Sequence, residues 1–330
     1  MADISTLDYE ASPTAAQRPA AGKLRRIFRW LGWSTFAIVC LTFFTLVRLP
    51  EERIGRWALG QLNWALSLSP QRISVQAEKI SWSLLLFPSV DLRAVSISVG
   101  QSETPIKFDR IEISPSIIPL LQGRLGATVR MRNGDGKVAY HFWFKPRDPT
   151  SPFGLSLQSE QLDFAKLGVL SSLSAATSLQ GGGLLDGTVD LTGSLADPTT
   201  LKGSVKLKIK NFEMPAQKIM GFGVPKIAIS ESNLDIGVEN SKVTLKNVQL
   251  GREGTAADDI HATLSGTIGL VKYLNSSTLN VNAKFRLSDS ILKAFILLDA
   301  ILGSGKQSDG TYAFKIDGTL GSPSPSPAGS

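Results

Sequence analysis

The sequence predicts a mainly β protein: a single N-terminal transmembrane helix followed by a long curved antiparallel β-sheet domain with a few short helices. Three observations predict it. Eighteen residues without a formal charge separate Arg29 from Arg48. Beyond Pro70 the apolar positions recur mainly with a period of two, the signature of half-buried strands. The chain is 19% charged and carries 30 glycines in 330 residues, a composition that suits strands and turns better than helical bundles.

The N-terminal residues, 1–26, read as a disordered basic tail on the cytoplasmic side, poor in large apolar residues and carrying Arg18, Lys23, Arg25 and Arg26. Residues 27–49 read as the transmembrane helix. The uncharged run spans about 27 Å at about 1.5 Å per residue, close to the ~30 Å hydrocarbon core. Trp30 and Trp33 suit one interface, and Arg29 and Arg48 can reach the headgroups. A secretory leader is disfavoured, because the run is too long and LVRLP offers no small-residue cleavage site. The basic excess before the run places the N-terminus in the cytoplasm and residues 50–320 on the far side, the periplasm of a bacterial inner membrane.

Pro50, Glu51 and Glu52 suit the first turn of a helix that continues through Ile54, Trp57, Ala58, Leu62 and Ala65 to Ser69-Pro70. Strands follow. Val138, Tyr140, Phe142 and Phe144 alternate with Ala139, His141 and Trp143. Val205, Leu207 and Ile209 alternate with Lys206, Lys208 and Lys210, and Leu279 to Leu287 shows the same pattern. Similar runs fall near 72–79, 80–86, 90–99, 105–113, 124–132, 183–195, 226–237, 241–250, 258–271 and 311–320. Roughly a dozen strands between Gly, Asn and Asp turns predict an extended antiparallel sheet. Short helices are expected at Leu162–Ala175, at Ile117–Gln122 and at Asp289–Leu302, the last with Ser288 as N-cap and Gly303 just past its end. The segments DGTVDLTGSLADP (186–198) and DGTYAFKIDGTLGSP (309–323) form a weak repeat, with HATLSGTIGL (261–270) a looser relative. Residues 321–330, Pro/Ser-rich, read as a disordered tail.

Part of the net charge of +7 sits in the N-terminal cluster Arg18, Lys23, Arg25, Arg26 and Arg29, and the remainder is well mixed with no basic block, which argues against nucleic acid as a partner. The single cysteine, Cys40, excludes an intramolecular disulfide and thiolate-rich metal sites. AILGSGKQ (300–307) lacks the first glycine and the final Ser/Thr of a phosphate loop. Ser290 and Lys293 match S-x-x-K without its companion motifs. His141 and His261 lie on strand faces with no second ligand nearby in sequence, and Asp258-Asp259 reads as a solvated acidic pair. The Lys206, Lys208, Lys210 row reads as a wet strand face. No catalytic, cofactor-binding or metal-binding residue is assigned, and no enzymatic role or cofactor is expected.

Several segments, in order, resemble the type II secretion system protein N family. They are the anchor running into LVRLPEERIGRWALGQLN, then RISVQAEKISWSLLLFPSVDLRAVSIS, SPSIIPLLQGRLGATVRM and DGTYAFKIDGTLGSPSPSP. The likeness runs from about Lys23 to Pro323. It implies an accessory, non-enzymatic component of the inner membrane that scaffolds export of folded proteins, with the secretin, the inner-membrane platform or pseudopilus proteins as partners. The family is similar in turn to the wider AsmA-like group, which implies a single anchor, a long curved sheet and envelope lipid handling. Two readings follow, a secretion scaffold and an apolar groove for acyl chains of phospholipid, and alternation alone leaves both open.

Overall fold

In the computed structural model the described residues are 36–37, 51–67, 73–83, 89–99, 105–146, 150–167, 179–194, 196–219, 222–252 and 258–328. No helix among them is long and apolar enough to cross a membrane. The expected tail, 1–26, and all of the expected transmembrane helix, 27–49, except residues 36–37 lie outside the described residues.

The domain is mainly β. It opens on helix α1 (Glu51–Ser67) and continues into β1 (Ile73–Ser83), β2 (Ser89–Val99), β3 (Ile106–Pro115), helix α2 (Ile117–Leu121), β4 (Leu125–Asn133), β5 (Gly136–Phe144) and β6 (Pro152–Asp163). Helix α3 (Phe164–Leu167), β7 (Gly182–Ser194), β8 (Asp197–Met214), the short β9 (Gln217–Ile219) and β10 (Phe222–Val224), β11 (Ile227–Glu239), β12 (Lys242–Leu250) and β13 (Ile260–Gly269) come next. The chain then runs through β14 (Thr278–Leu287), helices α4 (Asp289–Ala294) and α5 (Ile296–Leu302), β15 (Tyr312–Thr319) and β16 (Ser322–Pro327). Fourteen strands form one sheet, each beside its neighbour in sequence except that β9 and β10 leave as a separate hairpin between β8 and β11. Every pairing is antiparallel, as short connections require.

Several expectations need correction. The runs at 72–79 and 80–86 are one strand, β1, because Ala77↔Val95 and Lys79↔Arg93 keep its pairing with β2 unbroken. The alternation itself changes phase there: Val75 and Ala77 are apolar at odd positions, Ile80 and Trp82 at even ones. Ala94, opposite that point with φ 49°, does the same in β2. Leu92 and Val95, three residues apart, both enter one buried cluster with Val75, Ile80 and Ile111. Gln161 (φ 48°) and Asn211 (φ 51°) mark matching changes of apolar phase in β6 and β8. Such left-handed residues are invisible to a pattern of strict alternation.

The expected helix Asp289–Leu302 is broken at Phe295, whose φ of −123° and ψ of 74° are not helical. Strand β6 falls outside the expected runs although Phe153, Leu155 and Leu157 alternate strictly, and it takes Leu162 and Asp163 from the helix expected at Leu162–Ala175, of which Phe164–Leu167 is helical as α3 and residues 168–175 lie outside the described residues. The tail expected to be disordered, 321–330, instead forms β16 over Ser322–Pro327. SPSPSP suits an edge strand for a specific reason. Ala328 donates its N–H to Ala313 O, so the even-numbered N–H groups of this segment point at β15. Pro323, Pro325 and Pro327 therefore face outward, where a missing N–H costs nothing and leaves no donor for another strand.

The opposite edge is held by α1. Asn63 Nδ2 donates to Val75 O (2.8 Å) and Asn63 Oδ1 accepts from Val75 N–H (2.7 Å). Gly55 is needed for this approach, since a Cβ there would lie 2.7 Å from Ile80 Cγ2. Leu59 and Leu66 pack on the β1–β3 cluster, whereas Trp57, expected on the apolar stripe, is exposed.

Candidate binding surface

The pairing register lines up one residue from each strand into a continuous row. It begins Trp82–Val90–Ile113–Val129–Tyr140 across β1 to β5. It continues Leu157–Val189–Val205–Ile236–Leu245 across β6, β7, β8, β11 and β12. It ends Gly266–Val281–Ile316–Pro325 across β13 to β16. No member carries a charge. At about 4.8 Å per strand the row is about 60 Å long. Val281 is buried and Pro325 exposed; the other twelve are half-buried. Neighbours in the row shield one another's flanks. Among the described residues, Leu59 and Leu66 of α1 cover only the β1–β4 part of this face. Helix α3, the β9–β10 hairpin and α4 gather where β6, β8 and β14 end, with Leu167, Ile229 and Ile291 buried there.

The adjacent residues along each strand face the other way, and there the row is polar apart from one alanine. Asp91, Glu112, Arg130, Ala139, Gln158, Thr188, Lys206, Asp235 and Asn247 pair in succession. Opposite charges meet across strands: Arg110 Nε lies 2.7 Å from Asp91, Lys208 Nζ 2.8 Å from Glu231, and Lys210 Nζ 2.7 Å from Asp186. The Gln161 N–H and then Lys210 hold the Asp186 carboxyl below its ordinary range, and Lys208 and Asn233 do the same for Glu231. The Lys206, Lys208, Lys210 row is thus part of a cross-strand charge ladder on the wet face.

The residues singled out in the sequence do not converge. Cys40 lies outside the described residues. Residues 300–307 run from the last turns of α5 through a 3₁₀ turn (Gly303–Gly305) into an extended segment, with no strand before them. Ser290 Oγ lies 3.1 Å from Ser288 Oγ on α4, and Lys293 is exposed. His141 Nδ1 sits 3.0 Å from Thr128 Oγ1 and 3.3 Å from Ser116 Oγ. His261 Nε2 is buried with no hydrogen-bond partner in the protein. Among the described residues no three His, Cys, Asp or Glu side chains cluster to hold a metal ion.

Asp258 and Asp259 correct a further expectation, for they are structural ties rather than a solvated pair. Asp258 is 6% exposed and accepts from Ser230 N–H (2.7 Å), Ser230 Oγ (2.8 Å) and Arg252 N–H (2.7 Å). Burial opposes its ionisation, but those three donors and nearby His261 outweigh it and leave the carboxyl below its ordinary range. Asp259 accepts from Ala228 N–H and Ser288 Oγ. Together they fasten the start of β13 to β11 where β12 has ended. The DGT repeat also resolves: both copies lead into the β7–β8 and β15–β16 hairpins, but Asp186 lies inside a strand whereas Asp309 precedes one.

The fold and surface define an open antiparallel meander with one apolar and one charged face. No protein family, curated protein or solved structure matches the chain.

Proposed function

We propose that this protein shelters acyl chains of envelope phospholipid along the apolar face of its sheet, tethered to the inner membrane by residues 27–49, with the sheet in the periplasm and its apolar face curled inward. The observation that carries this reading is the row of uncharged residues running through all fourteen strands, over which the described residues place helices on its first strands and at the end where β6, β8 and β14 finish. A soluble sheet with one finished apolar face ordinarily buries it under a second layer. An acyl chain laid along the row would gain about 0.8 kcal/mol for each methylene removed from water. Binding of this kind needs no reacting group, so the reading is non-enzymatic.

A second reading is a scaffold in type II secretion, supported by the ordered resemblance of the segments between Lys23 and Pro323 to protein N of that system. Its contacts would be side-chain patches or the β1 edge, since β16 offers no outward N–H donor.

In-cell photocrosslinking separates the two. Probes replace Leu207 and Phe285 on the apolar side and Lys208 on the charged side. The lipid reading expects phospholipid adducts from Leu207 and Phe285 and none from Lys208. Adducts to secretin or pseudopilus proteins, with no lipid at the apolar positions, would overturn it in favour of the scaffold.

A further inference from the structure

The charged face carries a cavity unlike its neighbours. It has a volume of about 540 Å³ and lies where α2 folds back over β4 and β5. One wall is apolar, with Pro115, Ile117, Ile118 and Pro119; the other carries Ser116, Gln122, Arg124, Thr128, His141 and Trp143. Thr128 and His141 alternate with Val129 and Tyr140 of the apolar row, so the cavity is on the opposite side of the sheet from the proposed acyl groove. Its existence does not depend on that groove.

The polar wall is preorganised. The Trp143 ring lies over Gly154, where any Cβ would come within 2.1 Å of Nε1. The Arg124 guanidinium stacks on this ring, 4.4 Å from its centroid. Stacking holds the guanidinium plane while leaving its in-plane N–H groups free to donate. Ser116 and Thr128 hydroxyls within reach of His141 Nδ1 fix the imidazole. When they donate to Nδ1, the proton sits on Nε2 and adds another donor.

Composition decides the ligand's sign. No carboxylate lines this cavity. The three other cavities described on the charged face each contain at least one: Asp309, Glu160, and Asp186 with Asp235. One permanent cation, an imidazole and several neutral donors without an acid suit an anion. The apolar wall excludes a purely ionic guest, and it continues outward to Ile118 and Leu121, which are 72% and 84% exposed.

We propose that this cavity binds a single anionic lipid, headgroup first, with its phosphate against Arg124 and His141 and its aliphatic portion along Ile117 and Ile118.

The test uses the full chain in non-ionic detergent, labelled with 5-fluorotryptophan. Six tryptophans give six fluorine resonances, and Trp143→Phe identifies the one that matters. Dihexanoylphosphatidylglycerol, dihexanoylphosphatidylcholine and inorganic phosphate are titrated separately. The anionic lipid is expected to move the Trp143 resonance saturably, with half-saturation at least about tenfold below the zwitterionic one. Arg124→Gln should weaken the anionic lipid by about tenfold or more, and Ile118→Ser should weaken it without moving the other five resonances, which report that the fold is kept. A Trp143 resonance that ignores phosphatidylglycerol, or responds equally to phosphatidylcholine, overturns the proposal. Inorganic phosphate acting at the same concentration as phosphatidylglycerol makes this a free-anion site and overturns the lipid assignment. Each result is independent of acyl crosslinks at Leu207 and Phe285, so the two proposals fail separately.

Discussion

Replacing Asp258 with alanine should loosen the sheet at its β11–β13 junction. The carboxylate is 6% exposed and accepts from two backbone N–H groups, Ser230 and Arg252, at 2.7 Å each. The Ser230 hydroxyl can turn to another acceptor, but the two amides cannot. Each buried amide left unpaired costs about 1–3 kcal/mol, so the substitution should cost about 2–6 kcal/mol. Asp258→Asn is the sharper test. Oδ1 faces the Ser230 N–H and Oδ2 faces the Arg252 N–H, so an amide NH₂ in either orientation meets a donor. It should cost about half as much as alanine. Hydrogen exchange of the Ser230 and Arg252 amides reads the effect locally: a loss of about 4 kcal/mol is roughly three decades of protection. The pH dependence has a definite sign. Because the folded carboxyl is held below its ordinary value, its contribution is complete above the unfolded value of about 3.9. It is lost as pH falls through the lower folded value. Asp258→Asn should lack that acid limb. Unchanged exchange at both amides in the asparagine variant, with the parent's acid limb retained, would refute the role assigned to this carboxylate.

Three further outcomes follow from single contacts. Gly154→Ala places a Cβ inside the Trp143 ring and should displace it, at a cost of about 1–3 kcal/mol; near-UV circular dichroism resembling that of Trp143→Phe would register the displacement. Asn63→Ala removes both hydrogen bonds to Val75 and should raise exchange of the Val75 amide by about tenfold, with little change at Leu92 inside the sheet. Pro325→Ala should lower stability by only about 0.4–1 kcal/mol, because the N–H it restores points away from β15; a loss of several kcal/mol in thermal unfolding would show that the outward assignment is wrong.

Most of the strands were legible because a sheet with one wet face writes its pattern directly into alternate residues. The three lysines of β8 and the apolar residues between them fall on opposite faces as that pattern requires, and the 117–122 turn appears as α2. The cavity at α2 was not legible. Ser116, Thr128 and His141 become neighbours only through the β3–β4 and β4–β5 registers, and nothing local marks Gly154 as the floor beneath Trp143. Asp258 looked like a surface acid because its partners, Ser230 and Arg252, are supplied by another strand and a preceding turn.

The sequence by itself determined the class of the domain, a long antiparallel meander with one greasy and one charged side, since hydrophobic period and turn residues are local properties. Tertiary structure alone decided three things. It put left-handed backbone at Ala94, Gln161 and Asn211, which the pairings with neighbouring strands step over, so that apolar residues on either side of each share one face. It made SPSPSP a strand, because pairing with β15 uses only the serine N–H groups. It joined fourteen separate apolar residues into one row, because register is a relation between strands that no single strand encodes.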